Sequence, residues 1–290
     1  MVKRPPGASG GLSGFVPGYL SLQRSGELNR RAERALGHLR DCVLCARHCH
    51  ADRLEKIEDS ACGIGERAQV ASFGPHHGEE SVLSGWVGSG TIFFGSCNLN
   101  CVYCQNSDIS QEHSGRPVTA GELAGMMIEL QDSGCHNINF VSPSHVVAQL
   151  LEAVTIAAER GLRLPLVYNT GGYDSMESLA LLNGVIDIYM PDMKYGDNEA
   201  GRRLSGVPRY AEVNRRAVKE MHRQVGNLQL DRQGLAQRGL LVRHLVLPGD
   251  LAGSDSVMRF IAEEISKDTF INVMAQYRPC HRAHEYPELR

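Results

Sequence analysis

From Thr91 to about Tyr277, short apolar runs alternate with amphipathic segments without a break, and this alternation constrains the fold more than any other feature. Runs of this length suit buried strands, and strands separated by amphipathic helices assemble as a parallel sheet with crossover helices. The runs TIFFGS, INFV, LPLVYN, VIDIYM, LVRHLVL and FINVMAQ supply six strands. Between them lie helix-start signals. Thr119 and Glu122 make a capping box ahead of Leu123, Met126, Met127 and Leu130, which are spaced as one helical face. Asp174 and Glu177 repeat the device ahead of Leu179 and Leu182, and Val257, Phe260, Ile261 and Ile265 form a stripe entered near Ser254. Further helices are expected within residues 144–160 and about 208–224. No G-x-G-x-x-G follows a strand, which argues against a dinucleotide-binding sheet. The strand order fits an α/β chain in which residues 86–290 form a partial (β/α)6 TIM-like barrel better than a doubly wound sheet, though the pattern alone does not separate the two. Its chemistry is then expected on the loops after the strands' carboxyl ends.

The chain has 290 residues, 42% hydrophobic, enough for one large domain with a small appendage. The Gly- and Pro-rich start predicts a flexible tail over residues 1–24, followed by a cysteine-rich metal-binding module over 25–85. A helix over Glu27–Arg40 opens that module, and residues 63–90, rich in Gly, Ser and His, read as a loop-rich link. A net charge of −3 and a pI of about 6.5 give no signature of a nucleic-acid or anionic-membrane partner. No apolar run approaches a membrane span, and the N-terminus lacks the apolar core of a secretion signal. The nine cysteines are clustered rather than spread, which points to metal ligation in a reducing cytoplasm.

Cys97, Cys101 and Cys104 fall within eight residues on the loop after the first strand, and no fourth cysteine follows within thirty residues. Either a ligand arrives from elsewhere or the site is left open. Spacing C-x3-C-x2-C lets three thiolates hold three irons of a 4Fe-4S cube, with the fourth iron facing the barrel mouth. The competing reading is a three-cysteine, one-histidine zinc site completed by His113, His136 or His145. Upstream, Cys42, Cys45, Cys49 and Cys62 give C-x2-C-x3-C-x12-C, enough ligands to close a second site around zinc or another iron-sulfur cluster. His48 and His50 lie beside them as substitutes.

The triplet, with Tyr103 in the aromatic position of C-x3-C-x-aromatic-C, resembles the signature of the radical S-adenosylmethionine (SAM) superfamily. CNLNCVYCQN, followed by YNTGGY, PDMK and VRHLVLPG, is similar to relatives of pyruvate formate-lyase activating enzyme over about residues 41–285. The resemblance implies that Cys97, Cys101 and Cys104 ligate a 4Fe-4S cluster whose open iron chelates SAM, with Tyr103 packing near the cofactor. Reductive cleavage of the cofactor to a 5′-deoxyadenosyl radical then drives hydrogen abstraction. It implies an oxidoreductase that activates a glycyl radical enzyme as its protein substrate, with flavodoxin or ferredoxin as reductant. The family's Gly-Gly-Glu turn is replaced by VSPSH, which leaves Ser142, Ser144 and main-chain carbonyls as candidates for the cofactor's amino group. Asn169 and Thr170 resemble ribose or carboxylate contacts, and Asp192 and Lys194 resemble the family's Asp-x-Lys. Arg243 and His244 alternate on the fifth strand, so one faces inward, and an inward Arg243 could take the cofactor carboxylate.

Two other functions fit the same residues: radical SAM modification of a different peptide or a small molecule, and a non-catalytic iron-sulfur or zinc electron-transfer protein. The remaining features read as structure. HHGEE at 76–80 reads as a polar loop, Cys135 as a small buried hydrophobe, and Cys280 as part of an exposed tail. The basic run Arg215, Arg216, Lys219 and Arg223 reads as a solvated helix face, and the QNSDIS segment after Cys104 either shapes the pocket or leads to the first helix.

Overall fold

The computed structural model describes residues 14–290. Two helices come first, α1 (Tyr19–Arg24) and α2 (Glu27–Gly37), and then strand β1 (Ala68–His76), helix α3 (Ser81–Ser84) and strand β2 (Ser89–Phe94). After the cysteine triplet come α4 (Ser107–Ser110), β3 (Arg116–Val118), α5 (Ala120–Asp132), β4 (Ile138–Val141), α6 (Val147–Glu159) and β5 (Leu166–Thr170). The chain continues through α7 (Met176–Leu182), β6 (Ile188–Pro191), α8 (Asn198–Ser205), α9 (Tyr210–Val225) and β7 (Gln229–Leu230). It ends with β8 (Ala236–Leu245), α10 (Ser254–Phe260) and β9 (Phe270–Met274). No helix among the described residues is long and apolar enough to cross a membrane.

Strands β2, β4, β5, β6, β8 and β9 run parallel in that order and form the partial TIM-like barrel. They are the six apolar runs of the sequence. Side chains alternate between two apolar environments. Ile92, Phe140, Tyr168, Tyr189 and Val242 point out into the layer shared with the helices, while Val167, Ile188, Met190 and Leu241 fill the interior. Each such side chain, withdrawn fully from water, contributes roughly 1.5–3 kcal/mol. The Thr119–Glu122 capping box forms at the start of α5, the hydroxyl accepting from the Glu122 N–H and the carboxylate from the Thr119 N–H.

Three strands lie outside the six. β1 pairs antiparallel with β2 inside the segment that composition reads as a loop-rich link. Its pattern was hidden because only Ala68 and Val70 are buried, and Gly74 and Pro75 interrupt its second half. β3 and β7 are short antiparallel edge segments. Helix α7 starts one residue later than expected: Ser175 caps it by accepting from the Ser178 N–H. Asp174 is instead buried, accepting hydrogen bonds from the hydroxyls of Tyr168 and Thr170.

Residues 1–13 of the expected tail lie outside the described residues, but the rest of it is docked. Tyr19 is wholly buried, its hydroxyl donating to Leu164 O at 3.1 Å, and the Gly18 N–H donates to Asp187 Oδ1 at 2.9 Å. Helix α2 packs on α6. Arg53, also buried, donates to the main-chain oxygens of Ile64, Gly65 and His145, which fixes the cysteine-rich segment to the loop after β4.

His145 is 1% exposed, with Nε2–H donating to Gly95 O at 2.9 Å and Nδ1 unpartnered. Burial, then the Arg53 charge and His113, lower its pKa to about 4, so the folded ring stays neutral. The unfolded chain takes up the proton near pH 6.5. This contribution is therefore complete above that pH and is lost as pH falls toward 4, about 3 kcal/mol in all. His145→Gln, which keeps a donor for Gly95, should show a shallower fall of thermal stability between pH 6.5 and 5; an unchanged slope would contradict a neutral buried ring.

Candidate functional site

At the carboxyl ends of β5, β6 and β8 the inward side chains become polar, while those of β2 and β4 stay apolar. Register sets Phe93 beside Val141 and Val141 beside Asn169, and an isolated bridge sets Asp192 beside Arg243. These five residues line a pocket of about 300 Å³, together with Cys97, Cys101, Cys104, Lys194 and Leu245. One concavity thus gathers the triplet and the sequence candidates Tyr103, Ser142, Asn169, Thr170, Asp192, Lys194 and Arg243.

The triplet loop is held as a rigid piece. The Asn100 and Val102 N–H groups donate to Ser205 and Leu204 O at the end of α8, and the Ser96 N–H donates to Ile109 O, all at 2.9 Å. Leu99 and Val102 are buried beneath it. Tyr103 donates its hydroxyl to Tyr195 at 2.7 Å, and Tyr195 and Ser205 share a hydrogen bond of 2.7 Å. Ser205 Oγ in turn lies 3.0 Å from Cys101 Sγ, and Ser110 Oγ lies 3.1 Å from Cys104 Sγ. The Leu99 N–H donates to Cys97 Sγ at 3.4 Å. The QNSDIS segment therefore shapes the pocket: Gln105, Asn106 and Ile109 line it, and Ser110 meets a cysteine.

Opposite the loop lies a charged group. Asp192 accepts from Lys194 Nζ at 2.7 Å and from Arg243 Nε at 3.0 Å, and Arg243 Nη2 donates to Asn169 Oδ1 at 3.1 Å. Side-chain exposures of 14–21% make these partners for each other rather than for water. Burial alone would raise the Asp192 carboxyl, but Arg243 and Lys194 outweigh it and hold the group below the usual carboxylate range. Glu79 approaches Arg243 at 3.8 Å, and burial raises its carboxyl against that opposing charge. His244 faces the other way, its rings nitrogens meeting Met193 O at 2.6 Å and Ser254 Oγ at 2.8 Å.

Helix α9 braces the loops beneath. Tyr210 donates its hydroxyl to Gly171 O at 2.8 Å, and Asn214 Nδ2 donates to Gly172 O at 3.0 Å and Asp192 O at 2.9 Å. The loop can come this close only because residue 172 is glycine: its φ is +76° and a Cβ there would lie 2.1 Å from Asn214 Nδ2. Thr170 lines the pocket, but its hydroxyl donates to Asp174 at 2.7 Å and is approached by Ser144 Oγ and the Gly172 N–H, which leaves no free hydrogen-bonding capacity. Ser144 does not line the pocket, while Ser142 lines it in a left-handed backbone conformation.

Sequence reasoning missed Glu79, Tyr195, Ser205, Tyr210 and Asn214. Asn214 alone left a signal, as an amide in the buried stripe of α9 that includes Ala217, Val218 and Met221. The histidines offered for zinc are occupied elsewhere: His113 bonds Ser96, His136 packs its ring on Trp86 at 4.4 Å, and His145 bonds Gly95.

Three cysteines at the mouth of a parallel β/α array, facing a polar pocket, are a donor set that would hold an iron-sulfur cluster and leave one coordination position open. The chemistry of the set fits a cluster. Its donors are three soft sulfurs, none of them in a disulfide. Burial raises the Cys97 thiol, and a metal bound there would take the place of its proton.

Comparison with known proteins agrees. Residues 91–228 match the Radical SAM superfamily. An uncharacterised protein of Methanocaldococcus jannaschii is 33% identical over 270 residues, covering 90% of this chain and 73% of that protein. The chain belongs to the radical SAM superfamily, whose cofactors are a 4Fe-4S cluster and SAM. Solved structures similar to it include Streptococcus suis SuiB bound to precursor peptide SuiA, at 12% identity and TM-score 0.45, covering 67% of this chain and 39% of that one. anSMEcpe with bound AdoMet gives 12% and 0.44, covering 67% and 55%. A radical SAM methyltransferase from Sphaerobacter thermophilus gives 14% and 0.40, covering 63% and 55%. This chain therefore matches well under two thirds of the length of each.

Replacing Asp192 with alanine strands two largely buried cations and should lower the unfolding free energy by about 3–5 kcal/mol. Arg243→Lys keeps the charge but loses the fork to Asp192 and Asn169, and should cost clearly less. Chemical denaturation of the anaerobically prepared protein compares them, and equal losses would contradict the pairing described.

Proposed function

We propose that this enzyme removes a hydrogen atom from a glycine of a partner protein, activating a glycyl radical enzyme, with flavodoxin or ferredoxin as its electron donor. The observation that carries this reading is the size and rim of the pocket. At about 300 Å³ it stands at the lower end of the range that holds a drug-sized ligand. S-adenosylmethionine is such a ligand and uses that space, so the group that loses hydrogen reaches the mouth from a molecule that stays largely outside. Gln105, Asn106 and Gln276 line the pocket and are exposed, which makes a rim of carboxamides. Carboxamides match the alternating donors and acceptors of an extended peptide backbone.

When bound, the cluster and S-adenosylmethionine supply a radical able to take a hydrogen atom from carbon. The chain's part is binding, orientation and exclusion of water. Cys97, Cys101 and Cys104 hold the cluster, and Tyr103 supports their loop through Tyr195 and Ser205. Asp192 and Glu79 stand against the two cations, and Lys194 Nζ, which gives one proton to Asp192, keeps donors for the cofactor's carboxylate. Asn169 and the main-chain groups at Ser142 offer neutral hydrogen bonds. Phe93, Phe94, Val141, Leu245 and Met274 give the pocket apolar walls.

The test uses reconstituted enzyme, dithionite and S-adenosylmethionine, with cell protein from growth on α-deuterated glycine divided into macromolecular and low-mass fractions. Deuterated 5′-deoxyadenosine should form with the macromolecular fraction and fail to form with Cys101→Ala. Deuterium arriving only from the low-mass fraction would overturn the protein-substrate reading.

A further inference from the structure

Four cysteines lie outside the pocket and take no part in the reading above. Cys42, Cys45 and Cys49 follow α2, and Cys62 precedes β1. Three are buried, Cys49 is half-buried, and none is in a disulfide. Their backbone folds back on itself: the Cys42 N–H donates to Ala51 O at 3.2 Å, the His50 N–H to Cys42 O at 3.1 Å, and the His48 N–H to Cys45 O at 3.0 Å. His48 and His50 take left-handed conformations to allow this, with φ of 42° and 56°. The turn sets Cys42, Cys45 and Cys49 on one loop, and Arg53 joins Cys42 Sγ to Ile64 O, two residues after Cys62. Four separate thiols gain nothing from such convergence.

Arg53 gives an independent observation. It is 1% exposed, and its donors meet Ile64 O at 2.7 Å, His145 O at 2.9 Å, Gly65 O at 3.3 Å and Cys42 Sγ at 3.6 Å. Those partners are carbonyls and a sulfur, and no carboxylate pairs with it among the described residues. A guanidinium buried without a counter-charge costs several kcal/mol. Metal-bound thiolates supply that charge, whereas neutral thiols do not. Zinc or a closed 4Fe-4S cluster would each supply it, and of the two only the cluster can pass an electron to the triplet that stands beside it.

We propose that Cys42, Cys45, Cys49 and Cys62 ligate a second 4Fe-4S cluster, closed by four protein thiolates, with Arg53 as its buried counter-charge. It stands next to the open site. Arg47, between Cys45 and Cys49, donates to the main-chain oxygen of Asn98, the residue after Cys97, at 2.8 Å. With no open iron, it binds no S-adenosylmethionine. The proposal does not rest on the choice of substrate or on activity.

The experiment counts metal in two proteins reconstituted anaerobically with ferrous iron and sulfide: the unaltered chain and the triple variant Cys97→Ala/Cys101→Ala/Cys104→Ala. About eight iron atoms per unaltered chain and about four in the triple variant are expected, each with matching sulfide. After dithionite, the variant's electron paramagnetic resonance signal should not move on adding S-adenosylmethionine. Adding Cys62→Ser to the triple variant should remove the remaining iron. Zinc in place of iron, or four iron atoms in the unaltered chain and none in the triple variant, would overturn the proposal; because the counts need no turnover, failure of the functional reading above would leave them unchanged.

Discussion

The Asp192–Arg243 pair is the constraint on which the site depends. Hydrogen-bonded pairing between β6 and β8 covers only Ile188–Gly239 and Tyr189–Leu240, and resumes as a single bridge at Asp192–Arg243. A parallel array that opens in this way must hold its carboxyl ends by side chains. Arg243 does so by reaching Asp192 across one gap and Asn169 across the next, which ties three strand ends into one wall. Lys194 and Glu79 add charge at its edges, and Tyr210 and Asn214 hold the loops from below. A buried pair of this kind is weak evidence for stability by itself, since desolvation opposes the Coulomb gain. Its use here is to fix where the charges stand.

The cysteine loop is fixed by different means. Its main chain is hydrogen-bonded to the end of α8, its apolar residues are buried, and its sulfurs meet serine hydroxyls and a main-chain N–H. Three ligands on a short loop can hold a cluster at a set distance from the charged wall only if both are rigid. In this chain the two are built on different strands, with the loop after β2 facing the ends of β5, β6 and β8. The pocket between them is where a cofactor bound to both must lie.

Much of this was legible in the residues. The inner parallel strands announce themselves because strands buried on both faces read as continuous apolar runs, and β9 carries such a run although Phe270 and Val273 are exposed. The triplet is legible because its ligands are local in sequence, and Asn169, Asp192, Lys194 and Arg243 because each sits where an apolar run ends. What stayed hidden depends on distant contacts. β1 is half-exposed and carries Gly74 and Pro75, so no run marks it. Glu79 looks like any loop carboxylate until Arg243 is beside it. Thr170 reads as a cofactor contact until Asp174 and Ser144 are seen to occupy its hydroxyl, and Asp174 reads as part of a cap until its buried partners appear.

The central claim is that three protein thiolates leave one iron open to S-adenosylmethionine. Pulsed electron paramagnetic resonance of the reduced, reconstituted enzyme tests it most directly, using cofactor labelled with nitrogen-15 in its amino group and oxygen-17 in its carboxylate. The account predicts hyperfine coupling of both labels to the cluster. A fully assembled triplet cluster that shows coupling to neither label at saturating cofactor would contradict it.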